Sequence, residues 1–179
     1  IKSYNCRFIA KEKLKHIVSK EAFNIDGLGK KVIEQFWDLN FIKEPSHIFN
    51  LNYNKIKKLE GWGEISISNL KKAIKQSMTI SLDKLIYSIG IRHIGQENAK
   101  ILASFFGSIK EFIKLFDFKS REKILANLSD LDGIGETQTQ SINNFFSDKT
   151  NNRIIKELIN KLNIMDYTIQ IKDGKFSNK

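Results

Sequence analysis

The chain has 179 residues, of which 41% are hydrophobic and 28% charged, and its formal net charge is +10. Its single cysteine excludes an internal disulfide framework, and no stretch reaches the roughly 18 apolar residues of a membrane span. One proline and the lack of alternating Val, Thr and Tyr runs disfavour a sheet-rich protein. We therefore expect a folded, mostly α-helical, cytoplasmic protein of about eight to ten short helices.

The first 20 residues are unusually basic. They contain six Lys or Arg and one Glu, a net charge of +5 that is half of the chain's total. We expect a basic lead-in over residues 1–20, with one short helix near residues 14–18, outside the main domain. Charge alone does not identify the partner, because the whole chain is rich in Ile, Lys and Asn, but it favours a polyanion.

Four glycine signatures, which we call hairpins 1 to 4, recur along the chain. They are Gly27-Leu28-Gly29, Gly61-Trp62-Gly63, His93-Ile94-Gly95 and Gly133-Ile134-Gly135. Each follows an apolar stretch and precedes residues with helical apolar spacing, as in a helix, a tight turn and a second helix. The second glycines are 34, 32 and 40 residues apart. This repeat predicts an all-α fold of four tandem helix-hairpin-helix units packed as one compact domain over residues 21–165.

The segments between the hairpins give the other elements in chain order. Pro45 suits the first turn of a helix, and Asn52 suits the cap of the next one. Ser81, Ser108 and Ser120 are predicted to cap three later helices. Apolar stripes at helical spacing mark the buried faces, namely Val32, Ile33 and Phe36; Ile67, Leu70, Ile74 and Met78; Ala99, Leu102 and Phe106; and Ile155, Leu158, Ile159 and Leu162. Residues 166–179 lose this pattern and read as a linker.

The two-glycine turn predicts a phosphate site. Glycine permits positive φ and leaves the backbone N–H groups bare, and the second glycine opens a helix whose first N–H groups lack partners and whose dipole favours an anion. Contacts of this kind do not depend on base identity. Duplex DNA is therefore the leading partner, and the candidate DNA-binding residues are Gly27, Leu28, Gly29, Lys30, Lys31, Gly61, Gly63, Arg92, His93, Gly95, Lys100, Gly133 and Gly135.

The hairpins are not equivalent in sequence. Glu64 and Glu136 open the helices of hairpins 2 and 4 and would repel a phosphate there, so hairpins 1 and 3 are the better candidates. Trp62 could stack on a base, but packing beneath its hairpin is the favoured interpretation. A small residue four positions after the second glycine occurs only as Ala99. The three histidines are scattered, and no catalytic constellation is visible, so the segment is predicted to be non-catalytic.

Two stretches resemble the bacterial NAD-dependent DNA ligases. One runs from Cys6 to Gly29, with Leu14-Lys15-His16, Ser19 and Ala22, and the other from Leu85 to Gly95. The resemblance implies a C-terminal ligase segment, formed by the end of a zinc finger and a four-hairpin domain. Cys6 would then be a zinc ligand only in the longer parent chain, and Phe176–Lys179 would approach a C-terminal BRCT-like domain that is absent here.

The parent implied by this resemblance transfers AMP from NAD to the 5′-phosphate of a nick and seals the strand, using Mg²⁺ and a structural Zn²⁺. This segment, as a monomer that binds no cofactor itself, would hold the nicked duplex and contact the other ligase domains. Three alternatives remain open from the residues. They are the hairpin module of an excision nuclease or junction helicase, a helical protein-interaction scaffold, and a self-contained enzyme.

Overall fold

The computed structural model describes residues 6–168. The first five residues of the expected lead-in, and residues 169–179 of the expected linker with the BRCT-like approach, lie outside this range. The described elements are α1 (Arg7–Val18), α2 (Lys30–Asp38), a 3-10 segment (Pro45–Asn50), α3 (Tyr53–Ile56), α4 (Glu64–Ser77), β1 (Thr79–Ser81), α5 (Leu82–Ser88), α6 (Gln96–Phe106), α7 (Ile109–Phe112), a 3-10 segment (Ile113–Phe116), α8 (Phe118–Leu128), α9 (Glu136–Ser147), α10 (Lys149–Asn160) and β2 (Asn163–Met165).

The predicted all-α fold is confirmed, with one small exception. The strands β1 and β2 pair in parallel over three residues each, with Ile80 opposite Ile164. A helix long and apolar enough to cross a membrane does not occur between residues 6 and 168.

The predicted helix caps are partly correct. The Asn52 side chain accepts the Lys55 N–H at 3.2 Å, and Ser108 Oγ accepts the Glu111 N–H at 3.4 Å. Ser81 precedes α5, but its side chain forms no capping hydrogen bond. The prediction for Ser120 is wrong, because Asp117 caps α8 and accepts the Ser120 N–H at 2.9 Å.

Helix α1 is part of the main core. Its Leu14 and Ile17 are fully buried in the same cluster as Phe36 and Phe146, so a boundary at residue 20 does not separate two cores. The helix also begins earlier than predicted, at Arg7.

Ion pairs attach α1 to α2. Arg7 contacts Asp38 at 2.9 Å, and Lys11 and Lys15 both donate to Glu34. These hydrogen bonds, from Lys11 first and then Lys15, lower the pKa of Glu34 to about 2. Three cations of the basic lead-in are therefore already paired within the protein.

Candidate nucleic-acid interface

The four hairpins share one turn geometry. In each, the N–H of the middle apolar residue donates to the carbonyl three residues earlier, at 3.1–3.3 Å. The residue before it has a positive φ, which is +93° at Gly27, +82° at Gly61, +63° at His93 and +87° at Gly133. A positive φ at the third residue of a four-residue turn is the signature of a type II turn and explains the glycine there.

His93 takes the left-handed conformation that glycine takes in the other hairpins. This conformation is uncommon for a residue with a side chain, although histidine is enriched among the exceptions. The carbonyl of His93 accepts a hydrogen bond from Asn98 Nδ2 at 3.1 Å. Hairpin 3 therefore keeps the common turn despite its different residue.

The second glycine of each hairpin has a different backbone conformation from the first. Gly29, Gly63, Gly95 and Gly135 have φ of −69°, −98°, −86° and −99°, which is extended backbone open to any residue. The positive φ expected of the two-glycine turn is thus found at its first glycine only. Each second glycine is the N-cap of the following helix, which confirms that it opens a helix.

The fold itself does not require glycine at three of these four N-caps. A Cβ added at Gly29, Gly63 or Gly95 would meet no atom within 4 Å. The three glycines are also exposed, and their N–H groups have no hydrogen-bond partner in the described part of the chain. This is bare backbone that another molecule can approach closely.

Hairpin 4 is arranged differently. The Gly135 N–H donates to Gln138 Oε1 at 3.0 Å, and a Cβ at Gly135 would lie 3.2 Å from the same oxygen. Sequence reasoning missed Gln138, although it stands three residues after the N-cap, the spacing of a capping box.

The middle residues of the hairpins pack inward. Leu28, Ile94 and Ile134 are buried, whereas Trp62 is half-buried with its ring centroid 5.6 Å from that of Phe36. The interpretation of Trp62 as a packing residue is therefore the one that the structure favours. Because the Leu28 side chain is buried in the core, only the backbone of this residue can contact another molecule.

The hairpins form two neighbouring pairs. An added Cβ at Gly27 of hairpin 1 would lie 3.5 Å from Leu70 in α4, the helix that follows hairpin 2. Likewise, an added Cβ at Gly133 of hairpin 4 would lie 2.8 Å from Ile101 in α6, the helix that follows hairpin 3. A cavity of about 380 Å³ between hairpins 1 and 2 is lined by Gly27, Gly61 and Trp62, among others.

The basic residues near the hairpins are all exposed, but they differ in whether they form ion pairs. Lys30, Lys31 and Arg92 are exposed, and none forms an ion pair with another described residue. Lys100 is exposed but paired with Glu97 at 3.1 Å. Lys30 and Lys31 therefore give hairpin 1 positive charge that no described carboxylate neutralises.

The two glutamates that were expected to weaken hairpins 2 and 4 also differ. Lys57 contacts Glu64 at 2.9 Å, and this hydrogen bond lowers the pKa of the carboxyl. Glu136 has no ion pair within residues 6–168. The negative charge at hairpin 2 is thus offset locally, whereas that at hairpin 4 is not.

The described residues do not give Cys6 the partners of a zinc site. Among residues 6–168, no group of three or more His, Cys, Asp or Glu is placed to hold a metal ion, and a structural zinc needs about four ligands. Two histidines have structural contacts, since His16 Nε2 lies 2.9 Å from the Tyr87 carbonyl and His47 Nδ1 accepts the Lys43 and Glu44 N–H groups.

Comparison with known proteins agrees with this geometry. Residues 84–155, which contain hairpins 3 and 4, match the family model described as a helix-hairpin-helix motif. A protein named DNA ligase from Pelagibacter ubique (strain HTCC1062) is 49% identical over 176 residues, which cover 98% of this chain. Proteins of the same name from Neorickettsia sennetsu (strain ATCC VR-367 / Miyayama) and Rickettsia prowazekii (strain Madrid E) are 41% and 42% identical over 94% and 91% of it.

The chain is a homologue of one segment of the DNA ligases. This confirms the resemblance to DNA ligases that the hairpin residues suggested. The chain spans 25% of the length of each of these three ligases.

Proposed function

We propose that this chain binds duplex DNA without sequence preference, as the DNA-holding segment of an NAD-dependent DNA ligase. The observation that carries the proposal is the set of glycines at positions 29, 63 and 95. Their backbone conformation and surroundings would accept a side chain, yet each is glycine, exposed, and has an unpartnered N–H. A side chain there would occupy open space beside the amide and would hinder the close approach of a phosphate.

The proposed contacts suit an enzyme that must act at any nick. Hydrogen bonds from backbone N–H groups to phosphate position a protein on DNA but carry no sequence information. Lys30, Lys31 and Arg92 are free to add the electrostatic attraction that dominates such binding. The net charge of +10 acts in the same direction.

The finer parts of the proposal come from the ligase resemblance. The whole ligase would take AMP from NAD with Mg²⁺, and this segment would hold the nicked duplex as a monomer in the bacterial cytoplasm, beside the other ligase domains. The segment would neither accept AMP nor seal nicks by itself. It would bind no stoichiometric zinc, since Cys6 alone cannot close a tetrahedral site.

Fluorescence anisotropy with two labelled duplexes of unrelated sequence tests the DNA-binding proposal. We expect equal affinity for both, and weaker binding by folded Gly29→Val and Gly95→Val proteins than by Lys30→Ala, because the valine side chain covers the amide. Lys30→Ala should lower the salt slope by about 0.9, the value for one phosphate contact.

Incubation with labelled NAD tests the non-catalytic role. Transfer of AMP to this chain would contradict it. Unchanged affinity in both valine variants would make the hairpins structural turns and would make the basic residues 1–20 the better candidate for the DNA contact. Absence of salt-sensitive DNA binding would favour a helical interaction scaffold.

A further inference from the structure

We propose that hairpin 4 is closed to DNA by the Gln138 side chain, so that hairpins 1, 2 and 3 carry the phosphate contacts. This inference rests on the proposed function, because it assigns the amide contacts among the hairpins. Gln138 Oε1 accepts the Gly135 N–H at 3.0 Å. An amide oxygen thus occupies the position at which a phosphate oxygen would accept that hydrogen bond.

Comparison of the four repeats shows that this arrangement is specific to hairpin 4. The residue three positions after the second glycine is Val32, Ser66, Asn98 and Gln138 in hairpins 1 to 4. Val32 has no acceptor, and Ser66 makes no hydrogen bond to Gly63. Asn98 uses its Nδ2 as a donor to the His93 carbonyl and leaves the Gly95 N–H bare.

Charge around hairpin 4 points in the same direction. Residues 129–140 contain Asp130, Asp132 and Glu136 and no Lys or Arg. All three carboxylates are exposed and none is in an ion pair with a described residue. A phosphate approaching Gly135 would therefore meet both a competing acceptor and uncompensated negative charge.

The glycines of hairpin 4 have explanations within the protein. A Cβ at Gly133 would lie 2.8 Å from Ile101 Cδ1, which is too close for a carbon contact, and one at Gly135 would lie 3.2 Å from Gln138 Oε1. The positive φ of +87° at Gly133 requires the first glycine, contact with Ile101 of α6 adds to that preference, and the Gln138 cap favours the second glycine. Hairpin 4 therefore retains the turn as a structural element that supports hairpin 3.

Removal of the Gln138 oxygen should open the fourth amide. In the 179-residue chain, we expect Gln138→Ala to tighten binding to a labelled duplex by about threefold, as one hydrogen bond to a charged group is regained. The salt slope should change by less than about 0.9, because no cation is added. Gly135→Val in the Gln138→Ala protein should cover the amide again and return the affinity to that of wild type.

Gln140→Ala is the matched control, since this exposed glutamine lies on the same helix and makes no hydrogen bond to Gly135. Thermal unfolding must show that each variant is folded. If Gln138→Ala is not, Gln138→Met replaces it, because methionine keeps the side-chain length without a strong acceptor.

Unchanged or weaker binding by the folded Gln138 variants, with weaker binding by Gly95→Val, would overturn this inference and leave the proposed function intact. Unchanged binding by the Gln138 variants, Gly29→Val and Gly95→Val together would overturn both.

Discussion

The first and second positions of each hairpin signature serve different purposes. The first has a positive φ in hairpins 1, 2 and 4, so the backbone itself requires it. The second has ordinary extended dihedrals, and at Gly29 it has open space around it. The fold thus requires the first glycine, whereas a ligand would require the second. Mutation of each position can therefore test the two requirements separately.

Alanine substitution in hairpin 1 should distinguish these roles. Gly27→Ala forces a side chain into a left-handed conformation and should lower the free energy of unfolding by about 1 kcal/mol. Gly29→Ala should leave the free energy of unfolding nearly unchanged but weaken DNA binding, because its Cβ crowds the surface on which a phosphate must approach the exposed amide. Urea unfolding measures the first effect and anisotropy the second. Equal destabilisation by both substitutions would contradict the division.

The sequence predicts the position of each hairpin but not which of its glycines has the positive φ. A Gly-apolar-Gly pattern is the same whether one or both glycines have positive φ. His93 does not supply this information, because a non-glycine residue stands at the position that has the positive φ, whereas the second position, whose backbone would accept any residue, is always glycine. The spacing of Gln138 from Gly135 is that of a capping residue. Only the structure shows that its Oε1 accepts the Gly135 N–H, the group proposed to bind phosphate in the other hairpins.

At the level of elements, helix starts are harder to predict than the helices themselves. Asp117 and Ser120 are both good capping residues three positions apart, so composition does not decide between them. The structure shows that Asp117 accepts the Ser120 N–H, which lowers the pKa of the Asp117 carboxyl. Helix α1 was underestimated for another reason, because its many cations obscured an apolar stripe that includes Leu14 and Ile17.

Arg121 connects several helical elements through hydrogen bonds that the sequence does not predict. Its side chain is 4% exposed and links α8 to its neighbours. Nη1 donates to the Leu115 carbonyl at 3.0 Å and to the Phe146 carbonyl at 3.1 Å, and Nε donates to Asn143 Oδ1 at 3.0 Å. One buried guanidinium thus joins the 3-10 segment before α8 to the end of α9, which follows hairpin 4.

Arg121→Met should lower the free energy of unfolding by about 2 kcal/mol, because it removes the side-chain donor to the buried Leu115 carbonyl and leaves the Phe146 carbonyl with only the Asn152 side chain as its donor. Urea unfolding monitored by circular dichroism measures the change, and Lys123→Met on an exposed position of α8 is the control. A midpoint equal to that of the control would show that Arg121 does not hold these elements together.

At the scale of the whole molecule, the last described elements pack against elements from earlier in the chain. Strand β2 pairs with β1, and α10 packs on the 3-10 segment Pro45–Asn50. Arg153 of α10 donates two hydrogen bonds to the Glu44 carboxylate, at 2.6 and 3.1 Å. Local periodicity cannot predict contacts between residues 109 positions apart. The repeat therefore predicted the four helical units but not the contacts that attach the last helix to the first half of the protein.

The Arg153–Glu44 contact should make stability depend on pH. Hydrogen bonds from Arg153, followed by its charge, lower the pKa of Glu44 in the folded protein. The folded protein therefore binds this proton less readily than the unfolded chain. The resulting stabilisation is complete above the unfolded pKa of about 4.3 and is lost as the pH falls through the lower folded pKa.

Arg153→Met should consequently cost about 1 kcal/mol at pH 7, a value limited by the half-exposed arginine, and progressively less between pH 5 and pH 3. Urea unfolding of both proteins across this range measures the difference. Arg153 also contacts Glu157 at 3.3 Å, so Glu157→Gln is the control and should retain most of the wild-type pH dependence. A wild-type minus Arg153→Met difference that stays constant down to pH 3 would mean that packing of the arginine stem, and not its bond to Glu44, attaches α10 to the first half of the protein.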